Sequence, residues 1–266
     1  MKTPINLATL SFALAVTFTS PTFAADIATP NADQILKQMG KKIGDARQFT
    51  FKAHRAMDAS LEPGRDTPED ARIEVSVSRP NKAAGKASSK DGVRRVYADG
   101  QNFTLLDAKK NLYSTVPMRT SIDGLVDILD AKYGFVPPLA NFMVSDPYKD
   151  IRSNAQSVSY LGQGTYSTGS FGSGKTECHR LALKGKLADA ELWIGISDQL
   201  PKKLIATFKD RPGQPQLKIA FSAWNLDAKI TDRDFTFVPP KGAMKIPMRT
   251  EAEIEAAANK AKHKKS

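Results

Sequence analysis

The feature that most constrains this chain is a change of hydrophobic period. From Phe49 onward, apolar residues recur at every second position in short runs separated by turn residues. Such a run is a strand with one buried face, and many of them joined by turns build an antiparallel sheet. Phe49, Phe51 and Ala53 mark a first strand. Ile73, Val75 and Val77 mark a second that ends at Arg79-Pro80, after a polar, Pro-containing connection over 60–70. Segments 93–98 and 102–106 flank Asp99-Gly100, a pair suited to the positive backbone angles of a hairpin turn, and another turn follows over 107–111. Beyond Tyr148, strands are expected over 157–162, 178–184, 191–197, 203–209, 217–224 and 234–238.

Helical spacing interrupts this pattern twice. Asn31, with Gln34 three residues on, has the form of a variant capping box, and Ile35, Leu36, Met39 and Ile43 fall on one face after it. Ser121 is placed to cap a second helix carrying Ile122, Leu125, Val126, Leu129 and Tyr133; Pro137-Pro138 ends it and starts a shorter one through Phe142. Helices set among so many strands must bury their stripes on the sheet. The expected fold is therefore α+β, a strongly curved antiparallel sheet or half-open barrel of about ten strands wrapping a few helices, with an apolar cleft between them.

The first 24 residues stand apart from this domain. Lys2, the apolar stretch from Ile5 to Phe18 and the small-residue site Thr22-Phe23-Ala24 are the three parts of a secretory signal, cleaved between Ala24 and Ala25. A membrane span needs about 20 apolar residues, and Pro21 interrupts this stretch. No twin arginine precedes it and no Cys follows it, which implies Sec-type export to the periplasm without a lipid anchor. The expected division is 1–24 signal peptide, 25–248 one domain and 249–266 a basic tail, helical or disordered.

The net charge of +11 raises nucleic acid as a partner. The basic residues, however, are scattered through the strands and thicken only at Lys260, Lys262, His263, Lys264 and Lys265, without interleaved aromatics, so no nucleic-acid partner is expected. A lone Cys178 cannot form an internal disulfide. His54, His179 and His263 make no metal spacing, no nucleophile sits in a recognisable elbow, and no cofactor is expected. Gly169–Thr176 matches the phosphate-loop pattern letter for letter, but the residues after it alternate like a strand instead of opening a helix. We read it as a glycine-rich hairpin loop with no nucleotide. On the strand over 191–197, Trp193 shares a face with Glu191 and Gly195, opposite Leu192, Ile194 and Ile196, which places it on the outer side of the sheet.

Ser78–Lys82, Tyr97–Gly100, Asn111–Tyr113, Pro138–Ala140, Asp146–Tyr148, Cys178–Ala182, Leu192–Ile194, Leu200–Leu204, Ala223-Trp224 and Phe235–Pro240 together resemble a bacterial family of predicted periplasmic proteins of unknown function. Their order covers residues 31–248. The resemblance implies the carrier fold of LolA and LolB, a half-barrel with a helical lid and an apolar cavity. That family favours His two residues after the cysteine, where this chain has Arg180, and it brings no catalytic residues with it.

The expected function is binding of an apolar envelope ligand (a lipid, an acyl chain or a lipoprotein) between sheet and helices, with no catalysis. Val126, Leu129, Tyr133, Phe142 and Phe221 are the expected lining. The alternative is an envelope protein-interaction module that uses strand edges or the basic tail.

Overall fold

The computed structural model describes residues 30–62, 64–137, 139–167 and 174–256. The signal segment with Ala24 and Ala25, the loop residues Gly169–Ser173, Pro138 and the end of the basic tail lie outside the described residues.

Twelve strands form one curved, open sheet in the order β12-β6-β5-β4-β3-β2-β1-β11-β10-β9-β8-β7. The N-terminal meander comprises β1 (Gln48–Met57), β2 (Glu69–Ser78), β3 (Lys82–Ser89), β4 (Gly92–Ala98), β5 (Asn102–Asp107) and β6 (Leu112–Pro117). The C-terminal one comprises β7 (Ala155–Ser167), β8 (Lys175–Gly185), β9 (Ala188–Gly195), β10 (Pro201–Phe208) and β11 (Gln216–Asn225). Antiparallel pairing of β1 with β11 welds the two at the middle of the sheet. Residues between β6 and β7 therefore carry the chain from one edge to the other.

That crossing holds α2 (Ile122–Tyr133), a 3-10 turn at Ala140–Phe142 and α3 (Pro147–Ser153); α1 (Ala32–Gly44) precedes β1. The Asn31 side chain accepts the amide of Gln34 and so caps α1, and Ser121 caps α2 through Gly124. Leu36, Met39 and Ile43 of α1 and Leu129 of α2 are fully buried against the inner face of the sheet. Asp33 accepts from the Tyr148 hydroxyl at 2.8 Å and from Arg152 Nε at 3.2 Å, joining α1 to α3. The Arg79 guanidinium lies 5.1 Å from the Phe49 ring centre and donates to the carbonyls of Met143 and Ile43, tying β2 to both helical layers. Burial holds its pKa below the usual arginine value.

The expected curved antiparallel sheet is present, with twelve strands among the described residues; β3, β6 and β12 are those that the apolar pattern does not mark. One expectation is corrected. Segment 234–238 is not a strand: a capping box between Thr231 and Asp234 winds Asp232–Phe235 into a 3-10 turn. This turn belongs to a strap that leaves β11 and crosses the outer face. Phe235 is fully buried there, and Phe237 packs 5.5 Å from Tyr97 and 5.0 Å from Tyr113. The strap ends by laying β12 (Met244–Lys245) parallel to β6 and so covers that edge. Residues 251–256 are helical and exposed.

Candidate functional site: a half-buried apolar surface on the inner face

Half-buried apolar residues pack against the core in both halves of the sheet. At the seam between β1 and β11, Phe51, Phe221 and Trp224 form a ring cluster, with Trp224 4.4 Å from Phe51 and 5.8 Å from Phe221. Phe142 closes over it edge-on, 5.0 Å from Phe221. Phe142, Phe221 and Leu129, three of the expected lining residues, are thus packed core with exposures of 2%, 1% and 0%.

The other two, Val126 and Tyr133, are half-buried along α2. On the inner face of β3–β6, cross-strand register sets side chains in rows. One row runs Val75, Gly85, Val96, Leu105, Ser114 and the next Ile73, Ala87, Arg94, Asp107, Leu112. Val96, Leu105, Val116, Tyr133 and Phe135 pack against the core yet remain half-buried. Phe135 stands 6.5 Å from Phe103, which fixes where the chain leaves α2 relative to the sheet. The small residues Gly85, Ala87 and Ser114 leave the floor low, and a Cβ at Gly85 would come within 2.9 Å of the Val96 side chain. The result is a half-buried apolar surface, at whose margin Arg94 faces Asp107 across the ladder and lies 3.6 Å from Glu62.

A separate cleft of about 610 Å³ opens where the strap leaves the sheet, lined among others by Arg47, Gln48, Arg79, Lys82, Asp227 and Asp232. Its polar groups largely satisfy one another. Lys82 pairs with Asp232 at 2.6 Å, and Gln48 bonds both the Ser78 hydroxyl and the Ile230 carbonyl. This arrangement anchors the strap.

Groups with chemical potential are otherwise engaged. The Cys178 thiol is fully buried, and burial pushes its pKa up, away from thiolate chemistry. His179 meets the Tyr160 hydroxyl at 3.1 Å, and burial lowers its pKa. Among the described residues no cluster of three His, Cys, Asp or Glu could hold a metal, and no helix is long and apolar enough to cross a membrane. Lys175 and Thr176 lie on β8, paired with Ser167 and Tyr166 of β7, so the end of the phosphate-loop match lies in an antiparallel ladder. Trp193 is on the outer face, between Arg180 at 5.0 Å and Lys203 at 5.1 Å.

The sequence profile of a family described as "Predicted periplasmic protein (DUF2092)" matches residues 32–249. The chain belongs to this family. It is a periplasmic protein, and the matched span takes in the sheet, the crossing helices and the strap. No curated protein matches it significantly. Among solved structures it is similar to an uncharacterised conserved protein from Thermus thermophilus, with 11% identity, 82% of this chain and 99% of that one covered, and a TM-score of 0.46. A LolA superfamily protein from Nitrosomonas europaea is 11% identical over 78% of this chain and 99% of that one, at a TM-score of 0.37. The Pseudomonas aeruginosa MucA/MucB complex matches at 16% identity and a TM-score of 0.41, over 76% of this chain and 61% of that one. The chain thus spans about three fifths of the length of that neighbour.

Proposed function

We propose that residues 25–248 act as one unit that holds an apolar envelope molecule, an acyl chain of a lipid or lipoprotein, in the groove between α2 and β3–β6, without catalysis. One observation carries this reading: Val96, Leu105, Val116, Tyr133 and Phe135 stay half-buried around the small residues Gly85, Ala87 and Ser114. At about 25 cal/mol per Å² of apolar area, covering them with an acyl chain supplies several kcal/mol.

The test is native mass spectrometry of protein purified from the periplasm, paired with titration of a fluorescent fatty acid. Wild type should carry or take up lipid, and Leu105→Asp should weaken uptake at least about tenfold by placing a carboxylate on the groove floor. A protein that takes up no acyl chain, or whose uptake ignores Leu105→Asp, removes the proposal. Added salt separates this site from attraction through the basic tail. Apolar cargo stays bound as ionic strength rises, whereas a purely electrostatic contact is screened away.

A further inference from the structure

The two edges of the sheet are treated differently. At one edge, β12 covers β6: the Met244 amide donates to the Asn111 carbonyl at 3.0 Å and the Ile246 amide to the Tyr113 carbonyl at 2.8 Å. At the other edge β7, 13 residues long, has no partner on its outer side among the described residues. At the usual rise it spans about 43 Å. Proteins usually guard such an edge with charges, lysine above all, or with proline. This chain carries 39 Lys and Arg, yet from Ser153 to Gly174 it has no charged residue and no proline. Leu161, in the middle of β7, is 45% exposed.

We infer that β7 pairs antiparallel with β7 of a second copy of this chain, giving a two-fold dimer with one continuous sheet. Charge selects this occupant. Most of the basic side chains near the edge are already paired, Arg180 with Glu191 at 2.9 Å, Lys184 with Asp189 at 2.8 Å, and Lys202 with Asp198, while the exposed Lys175 stands opposite Ser167 at the far end of β7, away from its midpoint. The edge therefore gives an acidic or basic foreign segment little to recognise, and it brings no like charges together when it meets itself. A bulge between Tyr160 and Gly162 divides the strand near its midpoint. A two-fold axis through that bulge lets both copies bend together and covers both Leu161 side chains. Pairing is isologous and stops at two, because β12 and the strap block the opposite edge.

The inference is tested by sedimentation of the mature protein over a range of concentration and salt. A dimer is expected, and it should strengthen as salt rises, because screening relieves repulsion between two strongly basic bodies. Leu161→Lys should weaken it by about tenfold or more by placing like charges at the axis, and so should Leu161→Asp. Mixing the two variants should restore a heterodimer. An unchanged circular dichroism spectrum in each variant separates lost pairing from lost folding. A monomer at every salt concentration overturns the inference. So does a dimer indifferent to both Leu161 variants, or the absence of heterodimer on mixing.

Discussion

The indole of Trp224 stacks on the ring of Phe51 at a centroid separation of 4.4 Å, across the ladder that joins the two meanders. The indole nitrogen also donates to the Pro201 carbonyl at 3.1 Å, so the ring is held from both β1 and β10. Trp224→Ala should destabilise the protein by about 3 kcal/mol, through the lost ring contacts and the cavity left between Phe49, Phe51 and Phe221. A lower urea midpoint with an unchanged slope is the expected readout.

Gly40 of α1 faces Tyr148 of α3 so closely that an added Cβ would fall 2.5 Å from the tyrosine Cβ and 2.6 Å from its amide nitrogen. Alanine is the better helix former by about 1 kcal/mol. Gly40→Ala should nonetheless destabilise by about 1–3 kcal/mol, because backbone cannot yield as a side chain can and the helices must separate. Thermal unfolding measures the sign, and a stabilised variant would contradict this packing.

The Asp189 carboxylate accepts from Lys184 at 2.8 Å and pairs with Lys209 at 2.9 Å, which lowers its pKa from 3.8 to about 2. The folded carboxylate takes up a proton less readily than the unfolded one. Its contribution is therefore complete above the unfolded value and is lost as pH falls through about 2. Asp189→Asn should flatten the fall in stability within that acid window and leave the slope near neutral pH unchanged. Urea midpoints measured across the window check this.

Lys175 opens β8 opposite Ser167, with its side chain exposed. Lys175→Ala should change stability by no more than about 0.5 kcal/mol, as ordinary surface substitutions do. Calorimetry with ATP and magnesium should register no binding to either form. Saturable binding lost in the variant would contradict the strand assignment.

The elements legible in the sequence are those whose burial follows a clean period. The α1 stripe with its Asn31 cap, the alternation of Ile73, Val75 and Val77 along β2, and the outward Trp193 all stand where the pattern puts them. Strand β3 is hidden because its inner positions are Ala83, Gly85 and Ala87, residues of low strand propensity, and Val96 across the ladder leaves no room for a side chain at Gly85. In β6 the buried inner residue is Ser114, which breaks the apolar alternation. Helix α3 buries only Pro147 and so presents no stripe at all. Phe235 and Phe237 imitate a strand because both pack on the outer face, although the Thr231–Asp234 box coils the backbone between them and β11.

The candidate site is half visible for a related reason. Periodicity identifies Tyr133 and Val126 on α2, but which sheet residues stay uncovered depends on where the helices end. Val96 and Leu105 alternate like any core pair, yet both stay half-buried, which the alternation by itself does not show. Phe142 and Phe221 look identical to groove residues by pattern and are sealed by the same crossing segment.

The weld between β1 and β11 also sets an order of events. Strands β1 to β6 pair with sequence neighbours and need only short loops, as do β7 to β11, so each meander has low contact order. Their junction does not: the Ser222 hydroxyl reaches the Lys52 carbonyl from 170 positions away. A chain emerging N-terminus first across a membrane presents the Phe49 and Phe51 edge before its mate exists, and that edge stays exposed until residue 225 has arrived. Maturation therefore waits on β11, and the vulnerable interval scales with the time taken to deliver the second meander.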